Sequence, residues 1–249
     1  MALHRRELAW DGCLNVRDLG GHPTADGGET RYRAIVRADS VRQLTDAGWT
    51  ALVDYGVKTI VDLRMEQERD ADPPAELPVE VVHVPFLVDD PEALAEAEAV
   101  GAAAPDDTSA TRDVYLVFLE RFNANVANAI RVVARAPEGG VAVHCQGGKD
   151  RTGLVSALLL RLAGVDEAEI GADYALSAER LQPRHAVWLD EADTDEERER
   201  VRRLSECAAE SMIGVLEEVE RRHGSVDAYL RAGGLADNDL RVARTRLRG

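Results

Sequence analysis

Residues 139–164 read GGVAVHCQGGKDRTGLVSALLLRLAG. A short apolar, β-branched run stops at a His-Cys pair. A polar loop with two glycines follows, and then a stretch too apolar for anything but a buried helix ended by Gly164. A buried strand feeding directly into a buried helix needs material on both sides of a sheet, which selects layered α/β architecture over bundles and sandwiches. The loop then sits where the carboxyl end of a strand meets a helix N-terminus, the place where open α/β sheets collect anionic ligands.

The rest of the chain agrees with that unit. RAIVRAD (33–39), VKTIVDLR (57–64) and VEVVHVPF (79–86, after a proline-rich turn) predict three further strands, and LTDAGWTALVDYG (44–56) predicts a helix stopped by Gly56. Strands alternating with helices favour a mostly parallel central sheet flanked by helices. DDPEALAEAEAVGAAAPDDTSATRD (89–113), rich in Ala and acid, interrupts the alternation as a helical, lid-like surface insertion. The pattern predicts one helix over 114–137. It predicts another over 194–224 with Val201, Leu204, Ala208, Val215 and Val219 on one face, and two short closing helices. The whole chain, 1–249, reads as a single domain whose part from about 166 to 249 is helical.

The 249 residues carry 30 basic and 46 acidic side chains, a net charge of −16, which argues against a nucleic-acid or anionic-membrane coat. An anionic substrate must therefore be captured by local positive charge. Three scattered cysteines form no disulfide framework or CxxC pair, and the six histidines show no metal-ligand spacing, so a zinc site is not expected. The N-terminal MALHRRELAWDGC has no apolar signal region, and no run approaches a membrane span. The expected location is cytoplasmic, with unconventional export left open.

The chemistry concentrates in Cys145-Gln146-Gly147-Gly148-Lys149-Asp150-Arg151-Thr152-Gly153. At a helix N-terminus, beside Lys149 and Arg151, the Cys145 thiol is expected to favour thiolate, the reactive nucleophile. Arg151 supplies a planar fork matched to two phosphoryl oxygens. Gln146, Gly147, Gly148, Lys149 and Asp150 complete a phosphate-binding loop, with the glycines letting backbone N–H groups approach the anion. This arrangement suits phosphoryl transfer through a thiophosphate. Thr152 is expected to hydrogen-bond the sulfur, and His144 to anchor the loop and tune the thiol. A nucleotide P-loop is excluded because Asp150 stands where Ser or Thr must follow the lysine. Inert burial suits Cys13 and Cys207 but not a cysteine flanked by two cations and two glycines.

HCQGGKDRTG resembles the Cys-x5-Arg signature of protein tyrosine phosphatases, and its GKDRTG tail is similar to that of the tyrosine/serine phosphatase branch of bacteria and fungi. NVRDLGG (15–21), RADSVRQLTDAG (37–48), TIVDLRMEQER (59–69), ADYALS (172–177) and HGSVDAYLRAGGL (223–235) resemble further blocks of that branch, in the expected order. The resemblance implies the phosphatase fold and a helical lid. It also implies hydrolysis, with no metal or organic cofactor, of phosphotyrosine, extending to phosphoserine and phosphothreonine and, in some relatives, to phosphoinositides. The partner is then a phosphoprotein or phosphoinositide substrate. The general acid has two candidate positions, Asp150 in the loop and Asp89 (or Asp90) after PFLV, both of the latter being equally suited to cap the next helix. Arg17, Asp18 and Arg64 are expected as supporting polar or ion-paired residues. Three rivals stay open: a phosphoinositide phosphatase of the same chemistry, a catalytically idle phospho-ligand binding module and a sulfurtransferase.

Overall fold

The computed structural model describes residues 6–71 and 79–248. The proline-rich turn expected ahead of the strand at 79 lies outside the described residues. A five-stranded sheet runs β1 (Arg17–Asp18), β2 (Ile35–Ala38), β5 (Gly140–His144), β3 (Val57–Asp62), β4 (Glu80–His83) across its width. Only β1 is antiparallel to its neighbour; the other three pairings are parallel. The mostly parallel α/β sheet read from the sequence is therefore present.

The central strands divide their side chains between two cores largely by alternation, interrupted in β3 by a register shift between Val57 and Thr59. Ile35, Val61, Val141 and Val143 face one cluster, and Val36, Ile60 and Ala142 face the other. The second face is covered by α1 (Asp46–Tyr55) together with Trp10 and Leu44. Thr45 caps α1 through the Gly48 N–H, and Gly56 ends it at φ 99°, a left-handed position. The first face carries the larger core, built with α5 (Asn123–Arg135), α6 (Asp150–Leu162), α7 (Glu167–Glu191), α9 (Ala209–His223), α10 (Val226–Ala232) and α11 (Asp237–Arg248). A five-residue helix that the sequence reading lacks, α2 (Glu66–Asp70), follows β3.

Two helix boundaries differ from expectation. The helix predicted over 114–137 begins earlier, at Asp107, where Asp106 accepts the Ser109 N–H at 2.8 Å. It is split into α4 (Asp107–Arg121) and α5 at Phe122, which leaves helical geometry (φ −113°, ψ 25°) while buried in the core. No glycine or proline marks this break. The helix predicted over 194–224 is likewise two, α8 (Asp195–Ser205) and α9, separated by extended Glu206 and Ala208. Ser205 Oγ donates to Val201 O at 2.7 Å, a local bond that competes with helix continuation. Leu204, expected on the apolar face, is 50% exposed, whereas Cys207 turns inward.

The segment at 89–113 is a helix, α3 (Pro91–Ala103), followed by the start of α4, with Ala93 and Ala97 buried. Among the described residues, no helix is long and apolar enough to cross a membrane.

Candidate active site

The site follows from the sheet order. Strand β5 lies between β2 and β3, and Ala38, His144 and Asp62 stand side by side at their carboxyl ends. The loop after His144 is therefore flanked by the residues that follow β2 and β3. Cys145 is 2% exposed at the base of this loop, and α6 starts at Asp150 with its free N-terminal amides.

Three successive loop carbonyls are held from outside. Gln146 O accepts the Ser40 N–H at 3.1 Å, Gly147 O accepts Asn15 Nδ2 at 3.1 Å, and Gly148 O accepts Arg37 Nη2 at 2.7 Å. In a trans peptide the following N–H points the opposite way. The amides of Gly147, Gly148 and Lys149 are thereby turned away from the scaffold, as an anion cradle requires. Gly148 sits at φ 65°, and a Cβ there would lie 2.5 Å from Ala38 O, so only glycine fits. Gly147 has no such constraint; its nearest neighbour would be Leu181 Cδ1 at 4.0 Å.

Arg151 donates from both Nη atoms to Glu68, Nη2 to Oε1 at 2.8 Å and Nη1 to Oε2. Glu68 also accepts the Met65 N–H at 2.7 Å, which fixes it on α2. Burial opposes the Arg151 charge, but the Glu68 hydrogen bonds and the proximity of Cys145 raise its pKa above the ordinary arginine value. Lys149 Nζ donates to Leu204 O at 2.7 Å, tying the loop to the end of α8. Asp150, half exposed, accepts a hydrogen bond from Tyr115 of α4. The helical pair after residue 90 thus reaches the loop through Tyr115.

His144 is buried, with Nδ1 3.1 Å from Cys145 O and Nε2 3.5 Å from Asp62 Oδ1. Burial lowers its pKa despite the Asp62 charge. Thr152 is fully buried, and among the described residues its Oγ1 has no hydrogen-bond partner, so the bond to the Cys145 sulfur expected from the sequence is not formed in this structure. Asp90 caps α3, accepting the Glu92 and Ala93 N–H groups at 3.1 Å, and Asp89 beside it is exposed. Arg64 pairs with Asp62 at 2.9 Å. Asp18 accepts the Gly20 and Arg33 N–H groups at 2.7 Å and the Tyr55 hydroxyl, holding the N-terminal segment.

Beneath the loop lies a buried ion cluster that was not assembled from sequence. Arg17 Nε donates to Asp173 Oδ1 at 3.0 Å and Arg37 Nη1 to Asp173 Oδ2 at 2.8 Å, while Arg17 Nη1 reaches Asn15 Oδ1 at 2.6 Å. Burial works to raise the Asp173 pKa, but the two guanidinium charges outweigh it and hold the carboxyl well below its usual range. Two cations on one carboxylate leave excess positive charge under the loop of a strongly acidic chain. Asp39 accepts the Asn15 N–H at 3.0 Å and Arg184 Nη2 at 2.7 Å, which aims Asn15 at Gly147. Asn15, Arg37, Asp39 and Asp173 all fall in sequence blocks singled out above, yet nothing local paired them. Among the described residues, no group of three or more His, Cys, Asp or Glu is placed to hold a metal.

The profile of the tyrosine phosphatase family matches residues 8–249. The triple specificity protein phosphatase PtpB of Mycobacterium tuberculosis is 29% identical, covering 98% of this chain and 99% of its own length. A tyrosine-protein phosphatase of Nostoc commune is 27% identical over 86% of this chain and 74% of its own. With a Cys-x5-Arg loop at the carboxyl edge of a parallel sheet and a match over nearly its whole length, the chain belongs to the tyrosine phosphatase family and is a protein-tyrosine phosphatase.

Proposed function

We propose that the enzyme hydrolyses phosphotyrosine monoesters in two displacements at Cys145. The Cys145 thiolate attacks phosphorus, the P–O bond to the phenol breaks, and a cysteinyl-phosphate forms. Water then attacks that phosphorus, the P–S bond breaks, and phosphate leaves. Arg151 and the amides of Gly147, Gly148 and Lys149 hold the phosphoryl oxygens, and the N-terminus of α6 adds its dipole. Thr152 donates its hydroxyl, which has no partner among the described residues, to the sulfur as it departs. His144 steadies the Cys145 carbonyl.

Asp150 gives the phenol its proton in the first step and takes one from water in the second. Its half-exposed place in the loop favours it over Asp90, which is engaged as a helix cap, and leaves exposed Asp89 as the rival. The observation that carries the reading is the three outward-tied carbonyls beside a buried Cys145 and a bidentately held Arg151. PtpB is named for triple specificity, which supports a substrate range wider than phosphotyrosine alone; phosphoserine and phosphothreonine, with the same phosphoryl group, are our extension.

The test is phosphate release, without added metal, from phosphotyrosyl and phosphoseryl peptides and soluble phosphoinositides. Cys145→Ser, Asp150→Asn and Asp89→Asn are run beside the parent. Turnover abolished in Cys145→Ser with vanadate binding retained supports the covalent route. Full turnover in that variant overturns it, and no turnover of any substrate by the parent points to a binding module.

A further inference from the structure

We propose that Tyr115 is a positioning residue for Asp150 and that Tyr174 holds Tyr115 in register. The inference rests on the reading of Asp150 as the general acid. Asp150 is the first residue of α6, and its side chain is 50% exposed. An acid in that position has rotamers open to it, and Lys149 Nζ lies only 3.8 Å from its Oδ1. Left alone, the carboxyl would swing between lysine and solvent.

The structure supplies a fixed donor. Tyr115 Oη donates to Asp150 Oδ1 and lies 2.8 Å from Tyr174 Oη. A phenol has one hydrogen. With that of Tyr115 given to Asp150, Tyr174 must be the donor between the two phenols, so the chain runs in one direction from Tyr174 through Tyr115 to Asp150. Both rings are buried, at 3% and 1% exposure, and meet edge to face at 6.2 Å. Burial also raises both phenol pKa values, so both stay protonated donors at any working pH. With Oδ1 fixed from the protein side, Oδ2 is the oxygen free to carry the transferred proton. The three residues come from α4, α7 and α6, so the acid is registered against two helices outside its own loop.

Packing alone would be served equally by phenylalanine, which makes Tyr115→Phe the informative variant. The assay is kcat/KM, which reports the first displacement, on p-nitrophenyl phosphate and on phenyl phosphate. The former has an acidic leaving group that needs little protonation; the latter needs the acid. Asp150→Asn is expected to lose about 10²-fold or more on phenyl phosphate and far less on p-nitrophenyl phosphate. Tyr115→Phe is expected to show the same steepening at about tenfold, roughly the value of one well-placed hydrogen bond, with vanadate affinity unchanged. Equal loss on both substrates, weakened vanadate binding or no loss at all in Tyr115→Phe overturns the inference about Tyr115. Absence of steepening in Asp150→Asn instead overturns the assignment of the acid itself.

Discussion

Glu68 and Arg151 are 83 residues apart in sequence and meet as a bidentate pair, with Arg151 Nη2 2.8 Å from Glu68 Oε1. The carboxylate sets the plane of the guanidinium before any substrate arrives, and the remaining N–H groups are left for phosphoryl oxygens. Holding the fork in place reduces the ordering cost of binding. Glu68→Ala is therefore expected to lower kcat/KM by about 10- to 100-fold and to weaken vanadate binding by a similar factor. Unchanged vanadate affinity would show that Arg151 needs no such partner.

The two loop glycines should respond differently to a single methyl group. Gly148→Ala places a Cβ 2.5 Å from Ala38 O at φ 65°, and backbone on both sides must shift. Strain and overpacking together predict a loss of about 3 kcal/mol. Gly147→Ala meets nothing nearer than Leu181 Cδ1 at 4.0 Å, so its effect on folding should stay within about 0.5 kcal/mol. Thermal melts of the two variants in the absence of phosphate make the comparison, and similar melting points would contradict the loop geometry.

What could be read from the sequence was what depends on neighbours along the chain. The strands at 35–38, 57–62, 80–83 and 140–144 were legible because apolar runs and glycines punctuate them locally. The Cys145–Arg151 loop was legible because its chemistry is contiguous. The break at Phe122 was not, since it answers to burial of one ring rather than to a breaker residue. Nor were Glu68, Asn15, Arg37 and Asp173, whose purpose exists only once β2, β3, β5 and α7 are side by side. Arg37 meets Asp173 across 136 residues, a pairing that no periodicity encodes.

Arg37 divides its fork, sending Nη1 to Asp173 Oδ2 and Nη2 to Gly148 O. A lysine cannot serve two acceptors in that fixed plane. Arg37→Lys should keep the buried charge but release the Gly148 carbonyl, weakening vanadate binding by about tenfold. Asn15→Ala should do the same at Gly147, where Nδ2 donates at 3.1 Å. Because the two carbonyls belong to adjacent peptides of one loop, the double variant should lose less than the sum of the single losses. Strict additivity would mean that the two carbonyls are positioned independently.

His22 makes stability depend on pH in a definite direction. It is fully buried, with Nδ1 2.7 Å from Arg6 Nη1 and Nε2 3.8 Å from Asp173 Oδ1. Burial, helped by the charges of Arg6, Arg17 and Arg37 and opposed by Asp173, lowers its pKa from 6.5 to about 4. Between those values the unfolded chain binds a proton that the folded chain refuses, so stability rises with pH across that interval. The contribution is complete above about pH 6.5 and is lost as pH falls toward 4, amounting to roughly 3 kcal/mol at most. Asp173 acts lower still: its depressed pKa adds stability that is present above the ordinary value of 3.8 and disappears as pH drops below it. His144 and His185 are shifted downward as well, so they contribute slope of the same sign as His22. Melting temperatures measured from pH 4 to 7 should therefore fall toward acid in the parent and fall less steeply in His22→Gln. Parallel profiles would show that His22 accepts its proton in the folded state as readily as in the unfolded one.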